Sequence, residues 1–335
     1  MKKILALSFL MFTTVFCGYS QKSGLKVVKT FHIASAGGWD YLAVNGSKLY
    51  VSHGTQVNIL DKKTGDSVGV IEHTTGVHGI AFANILNKGF ISNGKLNTVT
   101  VFDLKTDKPT GEIATGQNPD AILFDNFSKK VYTCNGRSND VSVIDPISEK
   151  TVRNISVGGR PETAVSDEKG KLFVNIEDKN EVIQINTENF TVENRWSIAP
   201  GEGPTGLAYD NATKRLFAAC DNKLLIVLDA TTGKIVDKLP IGDGCDGDAF
   251  DPETKNIYTS NGDGTLTVIH EKSADDFKVI DNVSTKPRAR TIALDLATHC
   301  IYLPTAEFEK PVADAPKKER PKMIPGTFQV LVLDR

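Results

Sequence analysis

The amino-acid sequence predicts an all-β protein, a seven-bladed β-propeller built from four-stranded antiparallel blades. Three observations predict it. A unit of four short strand signals, separated by Asp, Asn, Gly and Pro turn residues, recurs along most of the 335-residue chain. The unit returns every 40 to 44 residues, which is the period of a propeller blade. Strand signals near the two ends of the chain complement each other, as expected for a closed ring.

The clearest unit spans residues 116–155. Its strand signals are an apolar run at 121–124, an aromatic and β-branched run at 130–134, a period-two run at 141–144 and a looser one at 151–155. One such sheet has two apolar faces and cannot bury both alone. Radial stacking of blades buries them against neighbouring blades.

The number of blades follows from two repeated positions. The aromatic residue of the second strand recurs seven times, at Tyr50, Phe90, Tyr132, Phe173, Phe217, Tyr258 and Tyr302. The polar residue that closes the third strand also recurs seven times, at Asp61, Asp103, Asp145, Asn186, Asp229, His270 and Asp334.

The ends of the chain predict how the ring closes. Residues 25–33 (LKVVKTFHI) match the fourth strand of other units, such as KIVDKLPI at 234–241, whereas residues 327–334 form a third strand. The N-terminal strand is therefore expected to complete the last blade, which removes two exposed sheet edges.

Residues 1–20 have the features of a secretory signal peptide. Two lysines precede an apolar run at 4–16, which is too short for a stable membrane span, and small residues follow it. We therefore expect residues 21–335 to form one exported domain, periplasmic or extracellular, with no transmembrane segment after cleavage. Cys17 follows the bulky Phe16, which disfavours a lipoprotein.

Composition narrows the class of partner. The chain has 40% hydrophobic and 24% charged residues, as in ordinary globular proteins. Removal of residues 1–20 takes the formal charge from −2 to −4, and no basic block stands out. This argues against nucleic acid as a partner. We expect a monomer whose partner is a small molecule or another protein.

The last unit carries a proline-rich insertion at residues 306–326, within a segment that holds five prolines between Tyr302 and Phe328. So many prolines exclude a helix or a paired strand. The insertion is either a surface loop or a semi-rigid flap beside a site.

Two units, KVYTCNGRSNDVSVID at 130–145 and NIYTSNGDGTLTVIH at 256–270, resemble the YVTN-type propeller repeat. The chain from residue 21 onward resembles YncE-like exported bacterial propeller proteins. The resemblance implies a propeller fold and a binding role, for which a surface, a partner protein and nucleic acid are the alternatives. Related seven-bladed folds include lactonases and quinone- or haem-dependent enzymes, but the chain lacks the Cys-x-x-Cys-His of covalent haem attachment.

The candidate site is the mouth of the central channel, where the innermost strands begin. Alignment of the units places Asp40, His78, Asp120, Glu162, Thr205, Asp246 and Arg290 at these starts, and second-strand ends such as His53, Asn93 and Asn135 on the same face. The predicted ligand-binding residues are Asp40, His53, His78, Asn93, Asp120, Asn135, Glu162, Asp246 and Arg290.

Four carboxylates in one ring repel each other unless they are protonated, hydrated, paired or neutralised by a cation. The candidate metal ligands are Asp40, His78, Asp120 and Glu162. Carboxylate and amide oxygens suit a divalent metal such as calcium, whereas histidines suit a transition metal. An organic ligand without metal, or solvated polarity with no ligand, also accounts for these residue types.

Four cysteines follow residue 20, and export permits disulfides. Cys220 ends one second strand and Cys245 begins the next first strand, so this pair is the candidate disulfide. Cys134 and Cys300 lie in well-separated units and are expected to be unpaired.

Two function classes remain open. The first is an exported binding module or scaffold that holds a ligand or partner at the channel mouth. The alternative is a metal-dependent hydrolase of the lactonase type, in which the metal activates water or polarises a carbonyl.

Overall fold

The computed structural model describes residues 22–309 and 321–335. Within them, 28 strands form seven four-stranded antiparallel sheets, so the predicted all-β propeller is confirmed. The first strands of the seven sheets contact one another around the ring and surround the central channel. The predicted signal peptide and the middle of the proline-rich insertion lie outside the described residues.

Blades 1 to 6 each contain four consecutive strands, which follow one another from the channel outward. Blade 1 contains β2 (Trp39–Asn45), β3 (Lys48–His53), β4 (Gln56–Asp61) and β5 (Ser67–Ile71). Blade 2 contains β6 (Val77–Ala83), β7 (Lys88–Asn93), β8 (Thr98–Asp103) and β9 (Pro109–Ala114). Blade 3 contains β10 (Pro119–Asp125), β11 (Lys130–Asn135), β12 (Asp140–Asp145) and β13 (Lys150–Ser156).

Blade 4 contains β14 (Pro161–Ser166), β15 (Lys171–Ile176), β16 (Glu181–Asn186) and β17 (Thr191–Ser197). Blade 5 contains β18 (Pro204–Asp210), β19 (Arg215–Cys220), β20 (Leu224–Asp229) and β21 (Ile235–Pro240). Blade 6 contains β22 (Cys245–Asp251), β23 (Asn256–Asn261), β24 (Thr265–Ser273) and β25 (Asp276–Ser284). Two single-turn 3₁₀ helices, Asn84–Leu86 and Glu177–Lys179, lie between strands.

Blade 7 is made from both ends of the chain. It contains β26 (Ala293–Leu294), β27 (Ile301–Thr305), β28 (Gln329–Asp334) and, as its outer strand, β1 (Lys26–His32). β1 pairs with β28 in antiparallel register from Lys26 opposite Asp334 to His32 opposite Gln329. The predicted closure of the ring by the N-terminal strand is therefore present in the structure.

The repeated residues have consistent structural roles. Each of the seven second-strand aromatics is at most 2% exposed and packs between blades. Aspartates that close third strands accept hydrogen bonds from the backbone N–H groups two and three residues later, as Asp61 does from Lys63 and Thr64. These turns fix the link to the fourth strand and explain why the sequence repeats Asp there. No helix in residues 22–309 and 321–335 is long and apolar enough to cross a membrane.

Candidate functional site at the channel mouth

The inner strands carry a β-bulge at the channel mouth. In blades 1 to 6 the first strand has one extra residue near its start: Trp39 pairs with His53, for example, but Leu42 pairs with Val51. A bulge leaves its residues outside the ladder and redirects their side chains. The residues inside these bulges include Asp40, His78, Asp120, Glu162, Thr205 and Asp246.

Three of the predicted residues converge on one point. The Nδ1 atom of His78 lies 2.6 Å from Oδ2 of Asp40 and 3.6 Å from Oδ1 of Asp120. One ligand atom from each residue lies within 4.8 Å of the others, a separation that a single metal ion can span. These residues come from blades 1, 2 and 3, so the cluster exists only in the folded ring.

The two carboxylates favour the charged form of His78. Burial alone would lower the pKa of His78, but the hydrogen bond to Asp40 and the negative charges of Asp120 and Asp40 outweigh it and raise the pKa to about 9. His78 is therefore an imidazolium near neutral pH, and its Nδ1–H donates to Asp40. A metal that binds Nδ1 must displace this proton.

Burial and mutual repulsion raise the pKa values of Asp120 and Glu162 at the channel mouth. Burial raises the pKa of Asp120 to about 7; the charge of Asp40 adds to this effect and His78 offsets it. The pKa of Glu162 is raised well above its usual value by burial and by the charge of Asp120. Glu162 thus shares the electrostatic environment of the cluster, although it is not one of its three convergent ligands.

Two arginines balance part of the negative charge. The Arg290 guanidinium forms an ion pair with Asp246, and Arg160 forms one with Glu177. Burial still raises the pKa of Asp246 to about 7, against the opposing effect of Arg290. Arg290 precedes the two-residue β26, so it reaches the mouth from irregular backbone rather than from a strand.

The three second-strand residues that the sequence predicted for the site lie outside the cluster of Asp40, His78 and Asp120. His53, Asn93 and Asn135 are fully buried. The ring nitrogens of His53 contact Ser35 Oγ at 2.5 Å and the Gly37 carbonyl oxygen at 2.8 Å. Burial lowers the pKa of His53.

The two asparagines each donate to hydroxyl groups of the third strand in their own blade. These contacts stabilise the blades and leave the three residues outside the cluster. A ligand-binding role for them remains a prediction.

The donor set suits some cations better than others. The cluster offers two carboxylate oxygens and one imidazole nitrogen. Ca²⁺ prefers six to eight oxygen ligands, whereas mixed nitrogen and carboxylate ligands suit Zn²⁺ or Mn²⁺. Since His53 is engaged elsewhere, His78 is the histidine that can take part. The residues therefore fit a transition metal better than calcium.

Sequence reasoning missed one residue of the mouth, Tyr41. It follows Asp40 within the same bulge and packs against the core cluster of blades 3 and 4, on the far side of the channel from its own blade. Burial and the charges of Asp120 and Glu162 raise its pKa well above the usual value. The phenol therefore lies among the carboxylates. The extra residue that forms the bulge could have indicated Tyr41 in the sequence. The alignment of the repeats places this residue in a regular strand, and so it does not show the change in side-chain direction.

Hydroxyl groups that join neighbouring blades were also missed. Ser92 donates to the backbone carbonyl of Asp120 at 2.5 Å, and Ser260 donates to that of Arg290 at 2.6 Å. Thr291 donates to the carbonyl of Asp40 at 2.7 Å and so connects blade 7 to blade 1. These bonds hold the backbone of three mouth residues in place.

All four described cysteines are free thiols, so the structure contradicts the candidate Cys220–Cys245 disulfide. Both side chains are buried, and burial raises the pKa of each thiol. The two act as small apolar core residues. Cys134 and Cys300 are unpaired, as predicted.

The position of the His78 ring depends on Gly94. A Cβ atom added at Gly94 would lie 2.6 Å from His78 Nε2, which is closer than real contacts allow. We expect Gly94→Ala to displace the imidazole from Asp40 and lower the pKa of His78 from about 9 toward its ordinary value of about 6.5. An NMR titration of the His78 ring protons measures this shift.

Gly136 provides a matched control, because it follows the second strand of blade 3 as Gly94 follows that of blade 2. A Cβ at Gly136 has no neighbour closer than 3.5 Å. Gly136→Ala should leave the His78 titration unchanged. Equal titrations in both variants would contradict the prediction.

The comparisons with known proteins identify the fold. A hydrazine synthase structure from Kuenenia stuttgartiensis matches with a TM-score of 0.70 and 17% sequence identity. The match covers 87% of this chain and 96% of that one. At this identity, the likeness shows a shared propeller fold. No family model matches the sequence, and the search of curated proteins finds no match.

Proposed function

We propose that the protein is an exported binding module of the YncE-like, YVTN-repeat type that holds a cationic ligand at the channel mouth. The convergence of Asp40, His78 and Asp120 is the observation that carries this proposal. Residues 1–20 support export to the periplasm or the cell exterior, and the regular repeats support membership of the family. The closed ring of blades is consistent with a monomer.

Electrostatics favours a cation as the ligand. Asp40, Asp120, Glu162 and Asp246 line one mouth, and burial raises the pKa of the last three. A bound cation would supply the positive charge that Asp120, Glu162 and Asp246 otherwise obtain from protons. The cluster of Asp40, His78 and Asp120 matches a divalent transition metal, with Glu162 as a further ligand.

A hydrolase of the lactonase type is the second candidate. The observation that favours it is the Asp40–His78 hydrogen bond, because an imidazolium oriented by a carboxylate can donate a proton to a leaving group as a general acid. A metal held beside it would polarise a substrate carbonyl. Hydrolysis of lactones or esters by the metal-loaded protein, lost in Asp40→Asn, would support this candidate over binding alone.

Calorimetric titration of residues 21–335 with Mn²⁺, Zn²⁺ and Ca²⁺ tests the cation site. We expect one ion per chain, with Mn²⁺ or Zn²⁺ preferred over Ca²⁺. Asp120→Asn should weaken binding at least about tenfold, or about 1.4 kcal/mol. Proton release should appear as an enthalpy that depends on the buffer, because His78 must lose its Nδ1 proton.

Asp276→Asn is the matched control, since Asp276 lies on the outer strand β25 and is exposed. It should bind the ions as the unaltered protein does. If none of the three ions binds, or if Asp120→Asn binds as tightly as the unaltered protein, the cation site is wrong.

A further inference from the structure

A cavity lies beside the carboxylates of the channel mouth, between blade 7 and blade 1. It has a volume of about 280 Å³ and is lined by Gly37, Gly38, Trp39, Arg288, Arg290, Phe308 and Met323. Phe308 and Met323 belong to the proline-rich insertion and pair with each other through an antiparallel bridge. The described ends of the insertion therefore form one wall of the cavity.

The aromatic wall is held in place by packing. Trp39 stacks on the buried Phe328, with ring centroids 5.3 Å apart and an interplanar angle of 28°. The Phe308 ring lies 6.0 Å from Trp39 at an angle of 52°. At this separation the two rings contact each other, so Trp39 and Phe308 form one continuous aromatic wall of the cavity.

The remaining wall carries positive charge. The Arg288 guanidinium lies over the Phe308 ring, 4.8 Å from its centroid. The Arg290 side chain pairs with Asp246 and is 43% exposed. Guanidinium groups bind planar anions such as carboxylates through pairs of parallel N–H donors. Asp40 follows Trp39 in the chain, and its negative charge repels an anion. A bound anion is therefore expected on the side of the cavity that the arginines line.

We infer that this cavity binds a small planar carboxylate, such as an aromatic acid with one ring. The ring would pack against Trp39 and Phe308, and the carboxylate would accept hydrogen bonds from Arg290. The cavity is smaller than the roughly 300–1,000 Å³ of pockets for drug-sized ligands, which limits the occupant to about one ring. The inference does not depend on the cation site, because none of the three convergent cluster residues lines the cavity.

The test uses benzoate as the probe, with chelator present so that no metal contributes. Trp196 lies on the outer strand β17, so Trp196→Phe leaves Trp39 as the only tryptophan. We expect benzoate to change the Trp39 fluorescence in a saturable manner and to give a matching calorimetric isotherm. Cyclohexanecarboxylate lacks the flat ring and benzyl alcohol lacks the charge. Each should bind at least about tenfold more weakly.

Two variants assign the contacts. Arg290→Gln should weaken benzoate binding at least about tenfold, whereas Asp246→Asn should strengthen it by releasing Arg290. Arg153→Gln, on the exposed outer strand β13, should change nothing. Because the two key changes have opposite expected signs, a general loss of folding cannot produce both results.

A blocking variant gives an independent check. A Cβ at Gly38 would have no neighbour within 4 Å, and Gly38 lines the cavity. Gly38→Leu should fold normally and bind benzoate more weakly. The inference is overturned if benzoate does not bind, if benzyl alcohol binds as tightly as benzoate, or if Arg290→Gln binds benzoate as well as the unaltered protein.

Discussion

Phe31→Ala should lower the free energy of unfolding by about 3–5 kcal/mol, the usual range for losing a buried Phe side chain. Phe31 is 5% exposed and belongs to the core cluster that joins blade 7 to blade 1. Its ring lies against Gly65, where a Cβ atom would come within 2.2 Å of it. The truncation therefore leaves a cavity at the junction of blade 7 and blade 1, where the propeller closes. Urea denaturation measures the effect.

Val28→Ala is the control on the same strand. Val28 is 42% exposed, so its truncation should change stability by no more than about 0.5 kcal/mol. Removal of residues 25–33 should be more damaging than either substitution, because it leaves β28 unpaired along its outer edge. If Phe31→Ala costs less than about 1 kcal/mol, β1 does not close the ring as described.

The fold could be predicted because its determinants are repeated. Each blade supplies its own polar residue at the end of the third strand and its own buried aromatic, so seven weak signals at one period identify seven blades. The closing strand was predictable for the same reason, since residues 25–33 match the fourth strands. The inner strand of blade 7 departs from the pattern: β26 has two residues, and the arginines before it help to form the cavity.

The site was only partly predictable, because its geometry depends on the bulges. Alignment identified Asp40, His78 and Asp120, which the structure brings together. It also selected Asn93 and Asn135, whose position at the mouth is similar but whose amides bond within their own blades. Sequence position gives the end of a strand. The direction of a side chain depends on the local backbone, which a repeat pattern does not show.

Substitution of Asp248 should have the second large effect on stability, and this effect should depend on pH. Its carboxylate packs over Gly206 of the neighbouring inner strand, and both oxygens lack a hydrogen-bond partner among the residues that the structure describes. Burial raises its pKa well above the usual value. The backbone N–H groups of Asp248 and Ala208 lower the pKa somewhat, but neither reaches hydrogen-bonding geometry. The folded protein thus retains a proton that the unfolded chain releases above about pH 4.

Stability should therefore fall as pH rises above about 4, until the folded-state pKa of Asp248 is passed. Asp248→Asn keeps the shape of the side chain but cannot ionise. We expect this variant to be more stable than the unaltered protein by about 1–3 kcal/mol near pH 8, and the difference to vanish near pH 4. Urea denaturation across this pH range, with chelator present, measures it.

Asp251, three residues later on β22, provides a control of opposite sign. Burial would raise its pKa, but hydrogen bonds from Thr254 and His299 outweigh burial and lower it. Its ionised form stabilises the fold above about pH 4, and this contribution is lost as pH falls through the depressed folded-state pKa. Asp251→Asn should therefore destabilise the protein near pH 8. A common sign for the two variants would show that burial, rather than the partners of each carboxylate, determines the effect.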